Sequence, residues 1–330
     1  MDSTVAIVIP TLNEERFLSR CLDSVINQSF PFEKMDVMVV DGGSVDRTKD
    51  IVKDYHEKYN NIRLLDNPKR IQSVAFNIGV ANSVAPYIIR LDAHAYYHKY
   101  YIEGCVKGLK EDSHRGNVGG QWDIQPQNES IWAVANAILN SSNFGIGGAT
   151  YRVGAKAGNV DTVPFGAFPR KVVDEIGGMR EDLPRGEDNE YNSRIKKAGY
   201  NIYFDPEIVC TYYARPTLGS SCKQMYANGV SIGHLFYVDR SAIGLRHFVP
   251  LAFIVSLIVS LIGSFIWRPF LWLFVFILAA YFLCAIGATI VLCKKNSWRF
   301  FFVLPILFFC VHCAYGWGTI VGLVRFCKRR

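Results

Sequence analysis

Two hydrophobic rhythms alternate along the first half of the chain. Apolar runs at 5–9, 37–40, 62–65 and 87–91, unbroken in the first two and each interrupted by a single arginine in the last two, read as strands buried on both faces, and the stretches between them carry apolar residues three and four apart, as helices do. The first helix follows Thr11-Leu-Asn13-Glu-Glu15, with Asn13 as its cap and Phe17, Leu18, Cys21, Leu22, Val25 and Ile26 on one face. A second turns Ile51, Val52, Tyr55 and Tyr59 inward, and a third covers 71–82 after Asn67-Pro-Lys69-Arg70. Such alternation predicts a parallel sheet with helices on both faces.

Further on, the pattern predicts a helix at 97–110, a strand at 117–122 and a mobile, glycine-rich loop at 144–151 lying over the crevice. A return segment at 162–168 leads into a short helix at 170–176 that Gly177-Gly178 stops. Arg185-Gly-Glu-Asp188-Asn-Glu190 opens another helix, and 200–204 and 208–213 read as edge strands. Residues 1–230 thus make a catalytic-type α/β domain. The mixed basic and apolar stretch around 231–248 suits a helix lying in a membrane interface. Apolar runs at 249–267, 270–292 and 300–324 are each long enough to span a bilayer, with Pro305, Gly316 and Gly318 permitting a re-entrant course in the last.

Charge sharpens that division. The net charge is +7, yet eight Lys or Arg and no acid fall after residue 246, leaving 28 basic against 29 acidic residues before it. The excess (Arg268, Lys294, Lys295, Arg299, Arg325, Lys328, Arg329 and Arg330) flanks apolar runs, as expected beside anionic headgroups, so nucleic acid is excluded as a partner. Three complete spans would put the last four of these outside, against the positive-inside tendency. Nine scattered cysteines give no disulfide framework and point to a reducing, cytosolic face. No N-terminal stretch resembles a signal peptide. Asn128-Glu-Ser130 and Asn140-Ser-Ser142 match the glycosylation pattern but would be idle there.

Ligands bind open α/β sheets where parallel strands end. Those ends carry Thr11, Asn13 and Glu14, then Asp41, then Asp92 and His94. Residues two apart on an extended segment share a side, so Asp92 and His94 are placed to hold a divalent cation and, through it, a diphosphate. No GxGxxG follows the first strand and no GxxxxGKS occurs, which disfavours dinucleotide enzymes and P-loop NTPases. Singly, Asp41 reads equally as a helix cap, and the acids at 187–190 as dipole-favouring first-turn residues.

Taken together, Ile9-Pro-Thr-Leu-Asn-Glu14, Val40-Asp-Gly-Gly-Ser-Val-Asp-Arg-Thr48, Asn77-Ile-Gly79, Leu91-Asp-Ala-His94 and Gly186-Glu-Asp-Asn-Glu-Tyr-Asn-Ser-Arg194 resemble the family 2 glycosyltransferases of the GT-A fold. The Asp-Ala-His variant and trailing apolar segments are most similar to enzymes that extend lipid-linked exopolysaccharide units, the succinoglycan type. The resemblance implies a doubly wound, mainly parallel sheet followed by C-terminal transmembrane helices. It implies a UDP-sugar or other nucleoside diphosphate sugar as donor, held by Pro10, Thr11, Asn13, Glu14, Asp41, Arg70 and Asp92. It also implies Mn²⁺ or Mg²⁺ on Asp92 and His94, where His94 departs from the usual third-position Asp and favours Mn²⁺. Asp188 becomes the base, Glu187 its fallback, and Gly166 and Gln224 acceptor or supporting residues. The Arg-Trp that follows such a Gln in processive synthases is missing after Gln224, which fits one sugar per visit. The acceptor implied is a polyprenyl-diphosphate-linked glycan at the cytoplasmic face of the cell membrane. Two rivals are a polyprenyl-phosphate glycosyltransferase and a nucleotide-sugar-binding subunit without catalysis.

Overall fold

The computed structural model describes residues 4–327; Lys328, Arg329 and Arg330 of the basic tail lie outside the described residues. In chain order the elements are β1 (Val5–Thr11), α1 (Leu18–Ile26), β2 (Met35–Asp41), α2 (Thr48–Lys58), β3 (Ile62–Asp66), α3 (Gln72–Ala81) and β4 (Tyr87–Arg90). Then come β5 (Ala95–Tyr97), α4 (Tyr101–Glu111), β6 (Arg115–Pro126), α5 (Ile131–Asn140), α6 (Asn143–Ile146), α7 (Thr150–Val153), β7 (Gly158–Asn159) and β8 (Ala167–Pro169). The rest are α8 (Arg170–Ile176), α9 (Glu187–Lys197), β9 (Asn201–Ala214), α10 (Leu218–Val238), α11 (Val249–Ser264), α12 (Pro269–Lys295) and α13 (Val303–Cys327). These form two compact units: the chain up to Asp123 with Thr150–Tyr212, and Ile124–Ala149 with the chain from Tyr213 onward.

The first unit is built on a sheet ordered β3-β2-β1-β4-β8-β6-β9-β5, with β7 on β9. β3, β2, β1 and β4 are mutually parallel, as the β/α alternation predicts, whereas β8 is antiparallel to β4 and to β6. Val8, Val40, Ile88, Phe76, Phe168, Tyr191 and Phe204 pack into one core on a face of this sheet. Burial of both faces explains the near-continuous apolar runs in β1 and β2.

Two expectations for this unit are corrected. The helix expected from 97 begins at Tyr101, because Ala95–Tyr97 pairs with β9 instead. The expected edge strands 200–204 and 208–213 are one 14-residue strand, β9, and it lies inside the sheet between β6 and β5. Asp205 Oδ1 accepts from Glu207 N at 2.9 Å, a local bond that satisfies the polar Asp-Pro-Glu stretch within one continuous strand.

The segment expected to be a mobile loop over 144–151 begins in α6, in the second unit, and ends in α7, in the first. Ser142 caps α6 by accepting from Gly145 N, and Phe144 packs edge-on against Phe308 and His312. His312 bonds through Nε2 to the Gly145 carbonyl at 3.0 Å and through Nδ1 to Tyr281 Oη at 2.9 Å. Ser130 and Ser142, which end the two glycosylation-like triplets, serve as helix caps.

Residues 236–248 are not one interfacial helix. α10 runs on to Val238, Asp239 accepts from Ser241 N to start a short 3₁₀ turn, and Gly244 precedes another at Leu245–Phe248. Three helices, Leu245–Ser264, Pro269–Lys295 and Val303–Cys327, are long and apolar enough to cross a membrane. The last is one continuous helix: Pro305 falls in its first turn, where it costs little, and Gly316 and Gly318 are packing positions.

Candidate active site

Strand register brings the first half of the site level. Thr11 stands opposite Asp41 and Asp41 opposite Asp66, so β1, β2 and β3 end on one rim. Half-buried Pro10 precedes, opposite Val40. Asp41 is fully buried. Its Oδ2 accepts from the Gly43 and Ser44 amides, each at 2.9 Å, and lies 3.5 Å from Lys49 Nζ; its Oδ1 accepts the Ser44 hydroxyl at 2.5 Å and that of Thr11 at 3.5 Å. The carboxylate therefore holds the turn after β2 in shape.

Asn13 is not a helix cap, since α1 starts at Leu18. It adopts φ 57°, donates its amide to Ser44 Oγ at 2.8 Å and accepts from Val45 N at 2.9 Å, clamping the loop after β1 to the loop after β2. Asn tolerates this left-handed backbone because its short side chain bonds locally. Arg70 is exposed, with φ 59°, and its guanidinium lies beside Gly43. Neighbouring Lys69 is tied to Glu181 at 2.5 Å. Glu14 donates its amide to Thr48 Oγ1 at 2.8 Å, and its Oε1 lies 3.2 Å from His94 Nδ1.

The second half of the site converges on a residue that the hydrophobic pattern concealed. Arg90 closes β4 and is buried. Its Nη2 donates to Asp92 Oδ1 at 3.0 Å and Gln72 Oε1 at 3.3 Å; its Nη1 donates to Asp188 Oδ1 at 2.5 Å and Glu187 Oε1 at 3.4 Å. Asp92 and Asp188, 96 positions apart in sequence, thus share one guanidinium. The overlooked signal was the basic residue itself, because a guanidinium inside a strand buried on both faces has to find carboxylates. Asp92 is fixed further by its amide, which donates to Tyr97 Oη at 2.7 Å.

The two α9 acids differ in setting. The Glu187 side chain is 6% exposed and that of Asp188 44%. Burial, reinforced by the Asp188 charge and opposed by Arg90, pushes the Glu187 carboxyl up to about 7. Burial also raises Asp188 above the ordinary aspartate range, against the pull of Arg90, although its exposure lets water screen part of that cost.

A carboxyl raised on folding contributes stability that is fully present below its unfolded pKa and is lost as pH rises through the folded value. For Glu187 that window runs from the ordinary glutamate range up to about 7. Glu187→Gln is therefore expected to raise the thermal unfolding midpoint of detergent-solubilised protein at about pH 8.5, by the equivalent of about 1–3 kcal/mol, with the gain shrinking near pH 5. A pH-independent difference would contradict this.

Gly166 directly precedes β8 and accepts from the Arg90 amide at 3.1 Å. A Cβ there would stand 2.3 Å from Asn117 Oδ1. Asn117, Gly166, Asp188 and Asn192 line a recess too narrow for water. Gln224 belongs to α10 in the second unit. Among the described residues, no three or more His, Cys, Asp or Glu side chains are grouped to hold a metal ion.

A parallel half-sheet with acids at its strand ends, extended by antiparallel strands, defines the GT-A class of nucleotide-diphospho-sugar transferase folds. The chain belongs to glycosyl transferase family 2, whose sequence pattern matches residues 6–177. It is 29% identical over 328 residues, 97% of each chain, to the dolichyl N-acetyl-alpha-D-glucosaminyl phosphate 3-beta-D-2,3-diacetamido-2,3-dideoxy-beta-D-glucuronosyltransferase of Methanococcus voltae. It is 32% identical over 248 residues, 74% of each chain, to the succinoglycan biosynthesis protein ExoA of Rhizobium meliloti. The fold is shared with the mannosyltransferase PcManGT of Pyrobaculum calidifontis, solved with GDP-Man and Mn²⁺ (TM-score 0.60, 17% identity, 96% of this chain and 88% of that one).

Proposed function

We propose that the protein is an inverting glycosyltransferase that moves a sugar from a UDP-sugar donor to a polyprenyl-diphosphate-linked glycan during surface polysaccharide synthesis. The observation that carries this reading is the Arg90 bridge, which joins a strand-end carboxylate, Asp92, to the α9 acids. The donor's base and ribose rest on the rim of Pro10, Thr11, Asn13, Glu14 and Asp41, and exposed Arg70 offsets diphosphate charge. Asp188 takes the proton of the acceptor hydroxyl as that oxygen bonds to the anomeric carbon and the bond to the diphosphate breaks. The two relatives, one named for a dolichyl-phosphate-linked sugar and the other for succinoglycan biosynthesis, favour a lipid-linked acceptor. Three apolar helices suit a transferase of the cell membrane, and the basic loop at 294–299, on the same side as the N-terminal domain when the first two helices span, suits a cytoplasmic face for the catalytic unit.

Asp92 and His94 offer one carboxylate and one imidazole, a donor set that fits a divalent cation whose remaining ligands come from the diphosphate. Such an ion, when bound, stabilises the departing diphosphate charge. Both residues already have protein partners, Arg90 and Glu14, so the cation is held weakly without the donor.

Membranes containing the protein, given a panel of radiolabelled UDP-sugars and native lipid extract, are expected to place label on an extractable lipid-linked glycan. Chelator should stop the reaction and Mn²⁺ restore it, with His94→Ala requiring at least about 10-fold more Mn²⁺. Label recovered only as a lipid monosaccharide would establish the polyprenyl-phosphate reaction instead. Donor binding without turnover would establish a non-catalytic subunit, and equal rates in chelator would remove the metal from the scheme.

A further inference from the structure

Arg90 is an expensive residue in its position. β4 lies between β1 and β8, and the Arg90 Nε is buried with no partner among the described residues. An unsatisfied buried donor costs roughly 1–3 kcal/mol, and a buried ion pair is seldom more stabilising than apolar residues of the same volume. Its setting is therefore poorly explained by stability. What it does achieve is geometric. One Nη faces Asp92 and the other faces Asp188 and Glu187, so a single rigid plane sets the spacing between a strand-end carboxylate and those opening α9. Gly186, at φ 84°, turns the chain into α9 immediately before them. Gln72, at the first position of α3, braces the guanidinium from a third element.

We infer that Arg90 is a positioning residue that fixes the Asp188 carboxylate relative to Asp92, and so sets the line from acceptor oxygen to departing diphosphate. This rests on the reading of Asp188 as the base. Arg90 touches no reacting atom: the proton passes from the acceptor hydroxyl to Asp188, and the guanidinium stays charged throughout. A lysine cannot take its place, because one ammonium supplies charge without the two-armed plane.

The test is a double-mutant cycle in the full chain, assayed in membranes. Arg90→Lys is expected to lower kcat by about 10²-fold while donor KM and UDP binding stay within about 3-fold. Arg90→Lys combined with Asp188→Asn should be no slower than Asp188→Asn alone, since both remove the same placed carboxylate. Gln72→Leu, which removes a brace and keeps the guanidinium, should lower kcat by about 3–10-fold without loss of folded protein, and reports on the inference if Arg90→Lys fails to accumulate. Unchanged kcat in the Arg90 variant, multiplicative slowing in the double variant, or an unaffected Gln72→Leu enzyme would each overturn it. Full activity in Asp188→Asn alone would instead overturn the base assignment beneath it.

Discussion

Asp188→Asn is expected to reduce glycosyl transfer by about 10³-fold or more while nucleotide binding changes little, because a positioned general base contributes roughly 10²–10⁴-fold. The substitution keeps the side chain's shape and its acceptor oxygen toward Arg90 but removes the carboxylate that, in the proposed reaction, receives the proton. Exposure separates the two acids at the start of α9: Asp188 is open enough to meet an acceptor hydroxyl, and Glu187 is enclosed behind it. Glu187→Gln should accordingly slow transfer only several-fold. The measurement is labelled lipid formed per minute at saturating donor, beside a UDP titration of the same preparation. If Glu187→Gln proved the inactive variant and Asp188→Asn the active one, the two roles would have to be exchanged.

What the sequence disclosed about this site followed from strand ends, and what it concealed followed from side-chain geometry. Thr11, Asp41 and Asp92 end three apolar runs, so their places on the sheet were readable, and the register sets Thr11 level with Asp41. Arg90 was hidden because one base among four apolar neighbours hardly alters a hydrophobic run, and its partners at 187 and 188 are joined to it only by folding. Asn13 was misread for a related reason. The residue type suits a helix cap and a left-handed clamp equally, and only the backbone φ of 57° and the Val45 contact distinguish them.

The fold divides along the same line. The parallel half follows from local periodicity, each β/α unit covering about thirty residues. The antiparallel half does not: β5, β8 and β9 are placed by non-local pairing, and a three-residue strand such as Ala95–Tyr97 has no signal of its own. The segment around 144–151 looked loop-like from its glycines, yet Phe144 and the Gly145 carbonyl are held by Phe308 and His312, more than 160 positions away. Composition reports backbone freedom but not the partner that removes it.

That partner is α13, and its packing against α10 carries the other large effect: Gly318→Leu is expected to unfold the second unit's helix pair. A Cβ at Gly318 would stand 2.2 Å from the Tyr226 carbonyl oxygen, at Gly322 2.4 Å from that of Val230, and at Gly229 2.1 Å from that of Tyr315. These obstacles are backbone, which cannot rotate aside. Gly229 and Gly233 on α10 and Gly318 and Gly322 on α13 thus form two four-residue repeats that let the helices touch main chain to main chain. Small residues let the two backbones approach more closely than larger side chains allow, so van der Waals contact along the main chain holds the pair together. Separating them should cost about 3 kcal/mol or more, lowering the thermal midpoint in detergent and exposing the α10 region to protease. Gly287→Leu in α12 is the matched control, because a Cβ there meets nothing within 4 Å. It adds the same side chain to another apolar helix without a collision, so equal stability of the two variants would mean that the glycine contacts do not hold α10 to α13.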